Sequence, residues 1–190
     1  MIVFPAIDVK DGKCVRLARG EFDEVTVYSD DPVEMALEFE IIGARYLHVV
    51  DLDGARLGEP QNTAVISEMA VKLGIPIQLG GGIRSIDRIE ILLCKGIERV
   101  ILGTSAVSDP DIVKKAAESF GNNLAIAVDA KEGMVAIEGW AKTSSFKAVE
   151  FAKQMQDIGA KTIIYTDISR DGMLKGPNFK ALEEMINAVD

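Results

Sequence analysis

Ala6-Ile7-Asp8-Val9-Lys10-Asp11-Gly12-Lys13-Cys14-Val15 returns about 120 positions later as Ala127-Val128-Asp129-Ala130-Lys131-Glu132-Gly133-Met134-Val135. The next apolar stretch repeats as well. Val50-Asp51-Leu52, followed by Gly58-Glu59-Pro60-Gln61, matches Thr166-Asp167-Ile168, followed by Gly176-Pro177-Asn178. Order and spacing agree as well as composition, which reads as common descent of two segments. Around these stretches short apolar runs alternate with longer amphipathic ones. The runs 2–7, 46–50, 75–79, 99–102, 124–128 and 162–165 lack strict period-two alternation, as strands buried on both faces of a parallel sheet do. Between them lie helical patterns. Asp31-Pro32 opens one as N-cap and first-turn proline, and those ending at Gly74, Gly96, Gly121 and Gly159 stop at glycine. The segment beginning Ser144-Ser145-Phe146-Lys147 is expected to be helical from its start, and residues 12–30 to hold a small hairpin and a mobile loop.

This order predicts an α/β fold with right-handed crossovers. Four strands fall in the first repeat, so two full repeats make eight, the number that closes a (β/α)8 TIM barrel. The counterparts of the strands near Ile75 and Arg99 would fall beyond Asp190. The expectation is therefore one incomplete barrel domain over 1–190 with about six of eight βα units, the first repeat ending near residue 122 and the second running from about 123. A C-terminally truncated chain explains this better than an open barrel with two long exposed edges.

Composition narrows the function classes. Lys and Arg number 21 against 30 Asp and Glu, a net charge of -9, which disfavours nucleic acid and anionic membranes as partners. An acidic chain that binds phosphate must do so locally, with backbone N–H groups and a few placed arginines. Cys14 and Cys94 match no metal spacing and suit a reduced, cytoplasmic setting. The opening residues, MIVFPAIDVKDG, meet charge and glycine too soon for a signal peptide or a membrane span. No metal-ligand cluster, P-loop or Ser/His/Asp arrangement is apparent, and the seven methionines read as core filler.

Barrel chemistry sits at the C-terminal ends of strands. Asp8 and Asp129 both follow apolar runs, on strands one and five, and such a pair can divide proton removal from proton donation. Strand-end aspartates also commonly cap loops or pair with lysine. Gly80-Gly81-Gly82-Ile83-Arg84 and Gly103-Thr104-Ser105 each follow a strand, where backbone N–H groups and a helix start can receive phosphate. Tight βα turns need glycine too. By the repeat, a second cradle belongs after strands seven and eight, so the substrate is expected to carry two phosphates. Trp140 could stack on a heterocycle, cover the mouth or anchor a surface loop. His48 is either a satisfied core residue or a site residue sharing the face of Val50. Arg16 and Arg19 could meet phosphate or solvent.

Six segments, FPAIDVKDGKCVRL, LHVVDLDGA, IQLGGGIR, VILGT, VDAKEGMVAIEGW and YTDISRDGMLKGPN, resemble successive motifs of the ProFAR isomerase family of histidine biosynthesis. The resemblance covers the whole chain in order. It implies a phosphate-binding TIM barrel that catalyses an Amadori rearrangement of a bis-phosphorylated aminoaldose to an aminoketose, with no cofactor and no metal. It makes Asp8 the base at C2 and Asp129 the acid that opens the ring, with Asp171 competing for the acid role. Arg16, His48, Gly81, Gly82, Arg84, Gly103, Thr104, Ser105, Trp140 and Thr166 match substrate-site positions of the family. The implied protein is cytoplasmic and, at full length, a monomer. The sister family, the cyclase subunits of imidazole glycerol phosphate synthase, reads PCLD where this chain has Pro5-Ala6-Ile7-Asp8 and lacks the Glu-Gly-Trp element. Isomerases that also take phosphoribosylanthranilate carry Arg where Glu138 stands. An inactive fragment retaining one phosphate-binding half is the alternative from outside the enzymes.

Overall fold

The computed structural model describes residues 2–18 and 21–190. Arg19 lies outside them. Two compact units are present: Met1–Arg16 with Glu24–Ile101, and Leu17–Asp23 with Leu102–Asp190.

β1 (Ala6–Lys10), in the first unit, turns at Asp11-Gly12 into β2 (Lys13–Ala18), antiparallel, with Asp8 opposite Val15; residues 17–23 belong to the second unit. The two turn residues have φ of 51° and 75°, the left-handed pair that a two-residue hairpin matched to strand twist requires. After β3 (Glu21–Ser29), α1 (Pro32–Ile41) starts as expected, with the Asp31 carboxylate accepting from the Val33 and Glu34 N–H groups. β4 (Leu47–Asp51), α2 (Leu52–Leu57), α3 (Thr63–Lys72), β5 (Ile77–Gly80), α4 (Ile86–Cys94) and β6 (Arg99–Leu102) follow. β1, β4, β5 and β6 are parallel neighbours in that order. Ile7, Val9, Leu47 and Val49 are fully buried on one face. The register lays Ala6, His48, Gln78 and Arg99 along one row of the other face, and Asp8, Val50 and Gly80 along the next.

The second unit contains α5 (Thr104–Ser108), α6 (Pro110–Phe120), β7 (Leu124–Lys131), β8 (Met134–Ile137), β9 (Lys142–Lys147), α7 (Ala148–Ile158), β10 (Ile163–Asp167) and α8 (Phe179–Ile186). β7 pairs in parallel with β10, placing Thr166 opposite Asp129. It pairs antiparallel with β8 through a turn at Glu132-Gly133 with φ of 53° and 80°. The hairpin of the first repeat is thus built again. Phe151, Ala152 and Met155 of α7 are buried in this unit's core.

Parallel strands alternating with helices make this the α/β class of the (β/α)8 barrel, with about six of its eight βα units. Three expectations shift. The first strand is Ala6–Lys10 rather than 2–7, because its last residues pair with β2 as well as β4. Residues 144–147 are strand, since β9 pairs with β8 before α7 begins. The stretch 12–30 is mostly extended: β2 and β3 are neighbours in the sheet, so the expected hairpin is present with longer strands, and residues 19 and 20 between them lie outside the described residues.

Candidate functional site

Asp8 lies mid-strand in β1, level with Val50 and Gly80 near the ends of β4 and β5. The strand that carries it is anchored beyond that point by side chains. The Asp11 N–H donates to Asp53 Oδ2 at 2.7 Å and the Gly12 N–H to Asn62 Oδ1 at 3.0 Å. Asn62 Nδ2 in turn donates to Asp51 Oδ1 and Asp53 Oδ2, each at 2.8 Å. Asp51 is fully buried, and it also accepts from the N–H groups of Gly54, Gln61 and Asn62 at 2.8, 2.7 and 2.9 Å. A buried carboxylate is tolerable only with its lone pairs met this way. Asp51 is therefore a structural clamp that closes the loop over residues 51–62.

That loop also explains the glycine run. Gly81 and Gly82 have φ of 114° and 71°, where other residues are strained. A Cβ at Gly81 would collide with the carbonyl oxygen of Asp51, and one at Gly82 with that of Gly54. Packing alone demands these glycines, whatever ligand their N–H groups meet. Arg84 is exposed, and a Cβ at Gly58 would stand 2.5 Å from its Cζ. Arg16 is half-buried in β2. His48 is half-buried too, with Nδ1 2.8 Å from Gln78 Nε2, and burial holds its pKa below 6.5.

The second unit gathers Asp129, Trp140, Thr166 and Asp171. Burial pushes the Asp129 carboxyl above the ordinary 3.8. Hydrogen bonds from the Trp140 indole and the Thr166 hydroxyl pull the other way, and the negative charge of Asp171 adds to the rise. The segment that delivers the indole is strained. Glu138, Gly139 and Trp140 have consecutive positive φ values of 55°, 62° and 72°. Two non-glycine residues in that region cost on the order of 1–3 kcal/mol each. The run is held by the Glu138 N–H donating to Thr104 Oγ1 at 2.8 Å, with the Phe22 ring against Gly139. The Thr104 hydroxyl thus braces the tryptophan loop. Ser105 is buried in the first turn of α5, and Gly103 precedes that helix as its N-cap.

Asp167 repeats the Asp51 clamp in reduced form, accepting from Asn178 Nδ2 at 2.6 Å, Ser169 Oγ at 2.6 Å and the Ser169 N–H at 3.0 Å. Partial burial pushes its pKa up, but these bonds outweigh it and the carboxyl ends below the ordinary value. Among the described residues no group of three or more His, Cys, Asp or Glu could hold a metal, and no helix is long and apolar enough to cross a membrane. Sequence reasoning missed the parts played by Asn62, Gln78 and Asn178. Gln78 carried a signal as a polar residue inside the apolar run Ile75-Pro76-Ile77-Gln78-Leu79, and Asn178 as part of the repeated Gly176-Pro177-Asn178.

Parallel strands with carboxylates and glycine turns near their ends are the construction of a (β/α)8-barrel enzyme. The chain belongs to the family described as Histidine biosynthesis protein, whose model matches residues 2–190. It is 70% identical over 190 residues to a protein of Thermoanaerobacter pseudethanolicus named 1-(5-phosphoribosyl)-5-((5-phosphoribosylamino)methylideneamino) imidazole-4-carboxamide isomerase, covering all of this chain and 80% of that one. A protein of the same name from Acetivibrio thermocellus is likewise 70% identical with the same coverage. One from Ruminiclostridium cellulolyticum is 56% identical over 189 residues, again spanning 80% of its length.

Proposed function

We propose that this chain is the isomerase its relatives are named for, converting the ProFAR aminoaldose into the aminoketose PRFAR. Identity of 70% across the whole chain supports that reaction. The residue roles are our reading, and the half-buried Asp129, whose carboxyl pKa is raised, supports them best. A carboxyl whose pKa is raised holds its proton to higher pH than an ordinary aspartate and can give it to the furanose ring oxygen. The C1–O bond then breaks and the nitrogen lone pair forms a C1=N iminium. Asp8, as carboxylate, removes the C2 proton, and the electron pair moves into an enaminol. Tautomerisation delivers a proton to C1 and leaves the ketone at C2. Electrons only shift within the substrate, so the balance needs no oxidant or reductant. Asp171 raises the proton affinity of Asp129 in this scheme, and the Trp140 and Thr166 donors orient it. The Gly81–Arg84 turn and the Gly103–Ser105 turn each supply N–H groups for phosphate, with Arg16 and His48 as further polar contacts. The protein acts in the cytoplasm on a small bis-phosphorylated molecule, and its full-length form is a monomer.

The test is ProFAR turnover by the 190-residue chain beside the same chain joined to the part of the Thermoanaerobacter relative that it does not match. Turnover by either form, falling roughly 10²–10⁴-fold in Asp8→Asn and in Asp129→Asn, is the expected result. Folded forms without turnover, or an Asp129→Asn variant of full activity, would overturn the reaction or the role respectively.

A further inference from the structure

The chain has a single histidine, and its surroundings leave one choice of tautomer. Arg99 Nη1 donates to Gln78 Oε1 at 3.3 Å, and Gln78 Nε2 meets His48 Nδ1 at 2.8 Å. A guanidinium has donors only, so it takes the carboxamide oxygen and turns the NH2 group towards His48. An amide NH2 in turn has no lone pair to offer. Nδ1 must therefore be the bare, accepting nitrogen, and the ring proton sits on Nε2. The guanidinium is held in place from below: its Cζ lies 5.5 Å from the centroid of the Tyr46 ring, which stacks on Phe4 at 4.5 Å and 4°. His48, Gln78 and Arg99 form one row across β4, β5 and β6. The adjoining row on the same face carries Asp8.

We propose that Gln78, oriented by Arg99, is a positioning residue that holds His48 as the Nε2–H tautomer, so that the ring presents a hydrogen-bond donor to an oxygen of the phosphosugar. The donor's use rests on the activity proposed above; the tautomer does not. A doubly protonated ring would face Nδ1–H against the Gln78 NH2, and flipping the amide would set that NH2 against the Arg99 guanidinium. The row therefore favours a neutral ring as well as one tautomer.

Because there is one histidine, a long-range ¹H–¹⁵N spectrum of the histidine-labelled chain reads the tautomer without assignment. The wild type is expected to show a protonated Nε2 and a bare Nδ1 at pH 7. In Gln78→Glu the new carboxylate accepts from the ring, so Nδ1 gains a proton, while far-UV circular dichroism stays unchanged. Arg99→Met frees the amide to flip and gives a mixture of tautomers. In whichever form turns over, Gln78→Glu raises KM for ProFAR roughly tenfold, the scale of one lost hydrogen bond. A wild-type spectrum with protonated Nδ1, or with averaged nitrogens, overturns the proposal. So does a Gln78→Glu variant whose tautomer switches while KM and kcat stay put. If variants fail to fold, the wild-type spectrum still decides the tautomer. A locked Nε2–H tautomer in a folded chain without turnover would leave the positioning intact and sink the proposed reaction instead.

Discussion

At Asp129 three neighbours act on one proton. Burial and the charge of Asp171 raise its pKa, while the Trp140 and Thr166 donors lower it. Trp140→Phe keeps the ring and deletes the donor, so the carboxyl should rise further. The high-pH limb of kcat/KM, which reports an acid that must stay protonated, should then move to higher pH. A limb that stays still or moves down would remove the indole from that role. Linkage sets the sign for stability. A carboxyl with a raised folded-state pKa binds its proton more tightly in the native state than in the unfolded one. Its stabilisation is complete below the ordinary value of 3.8 and is lost as pH rises through the folded pKa. Asp129→Asn, which cannot ionise, should therefore match the wild type near pH 4 and be the more stable at pH 8. Urea melts at the two pH values measure this. His48 has the opposite sense: its pKa lies below 6.5, so its contribution is present above 6.5 and lost as pH falls below that value.

Elements are fastened here by side-chain clamps at strand ends. Asn62 joins α3's start to Asp51, Asp53 and the β1–β2 turn. Asn62→Ala leaves the fully buried Asp51 short of a donor, a loss of roughly 2–3 kcal/mol for a hydrogen bond to a buried charge. Hydrogen exchange at the Asp11 and Gly12 amides should accelerate in the same variant, since the Gly12 N–H loses its acceptor. Unchanged protection there would show that the hairpin holds itself. Gly82→Ala meets both a positive φ and the Gly54 carbonyl. It should cost more than about 2 kcal/mol in thermal or denaturant unfolding. A near-neutral result would mean that the 51–62 loop yields readily.

On the scale of the whole molecule, the two repeats can be weighed against each other. Asp51–Asn62 and Asp167–Asn178 are the same hydrogen bond in successive repeats, at 2.8 and 2.6 Å. Asp51 is fully buried, whereas Asp167 is only partly so. Water can replace the lost donor at Asp167 but not at Asp51. Asn178→Ala should therefore cost about 1 kcal/mol or less, well under Asn62→Ala, when both are measured by equilibrium unfolding. Equal costs would contradict that burial argument.

Residue pattern alone determined the parallel α/β organisation, because apolar runs and glycine stops carry their own period. It also determined the repeat, down to the paired Asp-Gly and Glu-Gly hairpin turns, whose φ values recur. Glycine at 81 and 82 was legible as a residue type but not as a cause, since the carbonyls that exclude a Cβ come from residues 51–59. The strand at 142–147 was hidden because its residues are mostly polar and exposed and carry no apolar pattern, so only pairing with β8 reveals it. Only the tertiary structure separated Asp51 and Asp167, which clamp loops, from Asp129, whose burial raises its pKa. All three follow apolar strands and look alike along the chain. What distinguishes them is which N–H and indole groups reach their oxygens and how much water remains, and both depend on neighbours tens of residues away.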